Sequence, residues 1–139
     1  MTCRPRWVRF DARKRPLRAD GAGLASVTDP ATWAPYSVAV ESAAGEGVGF
    51  VLGEGIGCLD LDDAIDEHGE LADWARLLIA QHRAEALFVE VSRSGRGVHI
   101  FLPLDEGPGR RIREGAVKLE TYSRARYIAV TGKALEPSS

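Results

Sequence analysis

Basic residues are missing from a long central stretch of this chain. Residues 19–75 hold twelve Asp and Glu and no Lys or Arg. The start is the reverse: residues 1–18 carry seven Arg and Lys against one acid, Asp11. The other eleven basic residues lie from Arg76 onward, among them Arg110, Arg111, Arg113, Lys118, Arg124, Arg126 and Lys133. A formal net charge of -2 hides this basic–acidic–basic order. Folding can turn the order into an acidic pocket with basic walls, which suits a metal ion, phosphates or nucleic acid. Solvated charged faces are the plainer alternative.

Cysteine is also scarce. Cys3 and Cys58 are the only two, too few for a disulfide framework or a zinc site, so a reducing cytoplasm is the expected setting. No apolar run approaches the length of a membrane span. The basic N-terminus has no apolar stretch of the kind a signal peptide needs. With 139 residues and 45% hydrophobic content, the expectation is one globular domain with one core, over residues 1–135, and a frayed tail over residues 136–139. There is no internal repeat, low-complexity tract or linker.

Period-two and period-3.6 patterns divide the chain. Residues 7–10 read as a strand and residues 13–18 as a loop broken by Pro16. Asp29 with Pro30 after it is a helix-start signal, and Pro35 divides the segment into two short helical pieces ending near Gly45. Residues 48–53 read as a strand. The turn at residues 54–57 suggests a hairpin with the next strand. Leu71, Trp74, Ala75, Leu78 and Ile79 mark an amphipathic helix, with His82 as a surface or packing residue near its end. Further strands lie at residues 87–92, 98–102, 117–122 and 126–131, with a loop at residues 105–109. The short gaps between most of them imply antiparallel neighbours.

The most informative stretch is Cys58-Leu-Asp-Leu-Asp-Asp63. In a strand Leu59 and Leu61 face a core while Asp60 and Asp62 share the other face, about 7 Å apart along the chain. Two such carboxylates repel each other; a hard divalent cation between them explains the pattern, and a solvated edge strand is the bland reading. His99, between Val98 and Ile100, and Glu120, beside Leu119, repeat the same alternation. If one sheet carries all four, Asp60, Asp62, His99 and Glu120 converge. Asp63 points the other way and reads as structural. Ser92-Arg-Ser-Gly-Arg-Gly97 has the serines, glycines and arginines of a phosphate cradle, through Ser94, Gly95, Arg96 and Gly97. It is not a P-loop, because a strand comes after it and no GK[ST] is present. An ordinary hairpin loop is the alternative.

Cys58-Leu-Asp-Leu-Asp-Asp63, Ser92-Arg-Ser-Gly-Arg-Gly-Val-His99, Lys118-Leu-Glu-Thr-Tyr122 and Arg126-Tyr-Ile-Ala-Val-Thr-Gly132 together resemble the bifunctional primase–polymerase (prim-pol) domains of the archaeo-eukaryotic primase superfamily. These occur on phages, plasmids and integrated elements. The resemblance runs from about Trp7 to Lys133, and includes residues 28–33 and the helix around Trp74. It implies an α+β fold: a primase-like catalytic core with an RRM-like, mainly antiparallel sheet flanked by helices. It implies template-directed nucleotidyl transfer, as primer synthesis or DNA polymerisation, with two divalent ions, Mg²⁺ or Mn²⁺. Asp60, Asp62 and Glu120 match the metal-binding carboxylates. Ser94, Gly95, Arg96, Gly97 and His99 match the triphosphate-binding motif, and Arg126 a basic position near the phosphates. Glu90 also matches, without a role. The implied partners are a single-stranded DNA template, an NTP or dNTP, and a replicative helicase or separate helical primase subunit. The 139 residues do not hold the accessory helical region, helicase part or zinc module of many relatives, parts tied to template grip and de novo initiation. Two other functions fit the carboxylates: a two-metal nuclease or phosphoesterase, and a non-catalytic nucleic-acid-binding subunit of a split primase.

Overall fold

The computed structural model describes residues 1–136. The chain is an α+β fold with two antiparallel sheets and few helices. It divides into two compact units: Met1–Leu52 with Ala125–Val130, and Gly53–Arg124 with the chain from Thr131 on.

The first unit is built on a four-stranded sheet in the order β2-β1-β3-β9. Its strands are β1 (Trp7–Phe10), β2 (Pro16–Leu17), β3 (Gly47–Val51) and β9 (Tyr127–Val130). Trp7 and Phe50 pair across β1 and β3 and pack ring edge to ring face at 5.2 Å. Buried Arg6 gives its guanidinium protons to the carbonyls of Val51 and Leu52 at 2.8 and 2.9 Å, and lies 4.6 Å over Trp33. Asp29 caps a single 3-10 turn, Pro30–Thr32, and α1 (Tyr36–Glu41) begins after Pro35. The cap and the split therefore stand as expected, although α1 ends before Gly45. The segment at residues 13–18 is not wholly loop, because Pro16 and Leu17 pair with β1. Proline is tolerated there because β2 is an edge strand.

The second unit carries a five-stranded sheet in the order β5-β6-β4-β8-β7. Its strands are β4 (Ile56–Leu61), β5 (Phe88–Val91), β6 (Val98–Pro103), β7 (Arg110–Glu114) and β8 (Val117–Tyr122). Every pairing is antiparallel. One face buries Leu59, Leu61, Val89, Val98, Ile100, Leu102 and Leu119 against α2 (Asp73–His82), which contributes Ala75 and Ile79. Leu71, Trp74 and Leu78 pack at the margin, so the 3.6-residue stripe is the contact surface.

One expectation fails here, and one strand was not foreseen. The strands on either side of residues 54–57 are not a hairpin: β3 pairs with β1 and β9, and β4 with β6 and β8. The turn between them holds one bridge, Gly53 to Ile56, and then sends the chain into the other sheet. The loop expected at residues 105–109 stands, but the strand that follows it was not foreseen. Arg110–Glu114 forms β7, exposed at every residue, because its arginines have no apolar alternation to mark a strand and it gains its ladder by a hairpin with β8. As a result α2 is the one helix on this sheet among the described residues.

Leu61 is fully buried beneath α2, whereas Leu77 is 62% exposed on the outer side of the same helix. Leu61→Ala is expected to cost about 2–5 kcal/mol and Leu77→Ala within about 0.5 kcal/mol. Urea denaturation of both variants checks this; similar losses would contradict the burial pattern.

Candidate active site

The face of the second sheet opposite α2 carries a straight row of ionisable residues. Glu90 on β5 is opposed to His99 on β6, His99 to Asp60 on β4, Asp60 to Glu120 on β8, and Glu120 to Arg111 on β7. Directly opposed side chains sit about 4.5–5.5 Å apart at Cβ, so the groups of the row stand side by side. The sheet thus brings together Asp60, His99 and Glu120 from three strands. Asp62 lies just past β4, where its N–H donates to the Lys118 carbonyl at 2.9 Å, so it continues the ladder on the same face. Asp63, at φ 50°, is exposed and pairs with Lys118.

The neighbouring row on this face is apolar: Phe88, Phe101, Cys58 and Tyr122 are opposed in turn, and Phe101 and Cys58 are fully buried. Phe101 meets the His99 ring edge-on at 6.0 Å. Exposure is uneven along the charged row, and Glu120 is buried like Glu90 and His99, at 8%. Glu90 is 0% and His99 7% exposed, Asp60 has a side chain 22% exposed, and Arg111 one 68% exposed.

His99 Nδ1 lies 2.8 Å from Glu90 Oε2, and Nε2 lies 3.7 Å from Asp60 Oδ1. Glu120 accepts from Arg111 at 3.2 Å, from Arg113 at 3.0 Å and from the Tyr122 hydroxyl. Arg113 Nη2 also reaches Asp62 Oδ2 at 3.3 Å. One guanidinium therefore stands between two of the three expected metal ligands. Among the described residues, no group of three or more His, Cys, Asp and Glu is gathered closely enough to hold a metal ion. The donor chemistry still fits one: carboxylate oxygens suit a hard divalent ion, and the space between Asp62 and Glu120 already accommodates a positive charge.

Residues 92–97 join β5 to β6. Gly95 N donates to the Ser92 carbonyl at 3.0 Å, Arg96 N to Ser94 Oγ at 3.2 Å and Gly97 N to Ser92 Oγ at 3.0 Å. These three amides are engaged within the loop, and the side chains of Arg93 and Arg96 are exposed. The Arg96 carbonyl accepts from Ala64 and Ile65 at 2.8 and 2.9 Å, which ties the loop to the turn after Asp62. Gly97 allows this approach, since a Cβ there would sit 2.9 Å from the Leu61 carbonyl oxygen. Arg126 lies in the first unit, exposed just before β9, and is not part of this sheet.

Sequence reasoning noticed Glu90 without giving it a partner, and missed Tyr122, Thr131 and Gly132 as contributors. A signal for Glu90 was present: a hairpin closing at Val91 and Val98 must oppose residue 90 to residue 99. Arg111 and Arg113 were expected as basic walls for nucleic acid, but in this structure they pair with Glu120 and Asp62. Compared with known proteins, the chain matches no family model and no curated protein.

The Tyr122 hydroxyl chiefly, and the Arg113 and Arg111 guanidinium groups after it, hold the Glu120 carboxyl below the usual glutamate range, against the opposing effect of burial. A lowered folded pKa gives stability that is present above the unfolded pKa and lost as pH falls through the folded one. The urea midpoint of the wild type is expected to fall on acidification below the usual glutamate range, and Glu120→Gln to fall less steeply there. Equal slopes in a pH series of denaturation curves would refute the assignment.

Proposed function

We propose that this protein catalyses template-directed nucleotidyl transfer with the second unit's sheet as its catalytic surface, as primer synthesis or DNA polymerisation. The observation that carries the reading is the register that opposes Asp60 to both His99 and Glu120, with Asp62 next on the same face. The topology supports it. Strands β5-β6-β4-β8, with α2 crossing from β4 to β5, have a split β-α-β order and resemble an RRM-like sheet. Extended chain and β7 stand where such a sheet has its second helix.

Asp60, Asp62 and Glu120 would hold the divalent ions, Mg²⁺ or Mn²⁺. Bound there, the ions supply activation of a primer 3′-hydroxyl and stabilisation of charge at the α-phosphate. The chain's own residues orient the nucleotide. His99 presents Nε2 on the face that Asp60 shares, where it can meet a triphosphate oxygen. Arg93 and Arg96 add charge from the adjoining loop. Arg113, released from Asp62 and Glu120, becomes available to a phosphate.

Incubation with a single-stranded template, labelled nucleotides and Mg²⁺ or Mn²⁺, with and without a primer, tests the reading. Extension that Asp60→Asn abolishes supports it; degradation of the strand points to a nuclease, and inert binding to a binding subunit. In calorimetric titrations with Ca²⁺ to suppress turnover, His99→Ala should weaken nucleoside triphosphate binding roughly ten- to a hundredfold, the loss of one charge-assisted hydrogen bond. Nucleoside monophosphate and single-strand binding should hardly change. Equal losses for both nucleotides would sink the assignment.

Arg113 and a cation compete for the same oxygens. Arg113→Ala should therefore tighten Mn²⁺ binding in the absence of nucleotide by roughly tenfold. Electron paramagnetic resonance of free Mn²⁺ measures it; weaker or unaltered binding would refute the competition.

A further inference from the structure

Glu90 is out of reach of any ligand, at 0% exposure, yet it belongs to the row. A carboxylate buried this deeply is costly unless donors meet it. Three groups do. Thr131 N lies 3.1 and 3.2 Å from its two oxygens, Gly132 N lies 3.1 Å from Oε1, and His99 Nδ1 lies 2.8 Å from Oε2. An ionised carboxylate only accepts; with two backbone donors already on it, Glu90 in that form takes the proton of the His99 contact from Nδ1. The other ring nitrogen is then the one turned toward Asp60, at 3.7 Å. Phe101 beside the ring limits its rotation.

We infer that Glu90 is a positioning residue for His99: it fixes the proton on Nδ1 and aims Nε2 along the row toward Asp60 and an incoming nucleoside triphosphate. The nucleotide half of this statement rests on the proposed function; the ring half rests on geometry alone. Because Glu90 reaches no substrate, all of its effect on binding passes through the imidazole. A residue that merely tied β5 to the segment at Thr131 and Gly132 would act on the fold and be indifferent to His99.

Nuclear magnetic resonance of the ¹⁵N-labelled, metal-free protein reads the ring directly. The chain has three histidines, and loss of a signal in His99→Ala assigns the one of interest. A protonated Nδ1 on His99 is expected in the wild type; a bare Nδ1 overturns the proposal. Glu90→Gln keeps a carbonyl oxygen for Thr131 and Gly132 but turns an amide donor on Nδ1, so the proton should move to Nε2. A folded variant with an unchanged His99 pattern also overturns it. Should that variant fail to fold, the wild-type pattern alone decides. Binding supplies a second arm, by titration with ATP or dATP in Ca²⁺. Glu90→Gln is expected to weaken binding roughly tenfold alone, and to add nothing in a His99→Ala background. Additive losses would make Glu90 a structural tie and overturn the proposal. No triphosphate binding by the wild type would overturn the nucleotide reading, while the ring signals would still test Glu90.

Discussion

The register of β4 between β6 and β8 is the constraint on which the site depends. Asp60 is opposed at once to His99 and to Glu120, and a slip of one residue would turn Asp60 into the core and Leu59 and Leu61 out of it. The core forbids that slip. Leu59, Leu61, Val98, Ile100 and Leu119 are buried in one cluster with Ala75 and Ile79 of α2, and a large apolar side chain is worth about 1.5–3 kcal/mol when fully buried. Apolar burial on one face thereby sets, to within a residue, which charged groups meet on the other. The site is accurate because the leucines are, and not because its charges attract one another.

Left to themselves, carboxylates opposed on adjacent strands destabilise a sheet. This sheet answers the problem differently at its two sides. Toward β5, His99 stands between Glu90 and Asp60, and the buried carboxylate is met by backbone amides as well. Toward β7, arginines and the Tyr122 hydroxyl meet Glu120 and Asp62. Strand β7 has a second role. It is an edge strand exposed at every residue, and charged side chains keep such an edge from pairing with another chain. Arg111 and Arg113 thus guard the edge and neutralise the row together.

Much of this was legible in the sequence, and the parts that were not have physical reasons. Asp60, Asp62, His99 and Glu120 could be put on one face because strand alternation has a fixed period, and β4, β6 and β8 obey it. The helix of Ala75 and Ile79 came from its spacing in the same way. Pairing partners were harder. Nothing local in residues 53–57 says that β3 and β4 enter different sheets, because a short glycine-rich turn suits a hairpin as well as a crossing. Strand β7 escaped notice because Arg110, Arg111 and Arg113 carry no apolar signal. The state of the loop at residues 92–97 was hidden for a subtler reason. Serine can give its oxygen to a ligand or to its own backbone, and only the fold shows Ser92 and Ser94 accepting from Gly97 and Arg96.

Burial divides fixed groups from movable ones. Glu90 and His99 are buried and hold each other through Nδ1, with backbone amides on the carboxylate, so a change of position there would leave a buried carboxylate without its donors. On the neighbouring rung, past the end of β4, the side chains of Arg113 and Asp62 are 37% and 42% exposed. Half-exposed ion pairs of this kind contribute only about 0–1 kcal/mol. Letting go of Asp62 therefore costs Arg113 little, and water is at hand to solvate both ends during the exchange. An incoming cation or phosphate would displace the weak partner first and then meet an imidazole that does not yield. The sheet can thus be stable while its charged row is empty and still give way on the side where a ligand would enter.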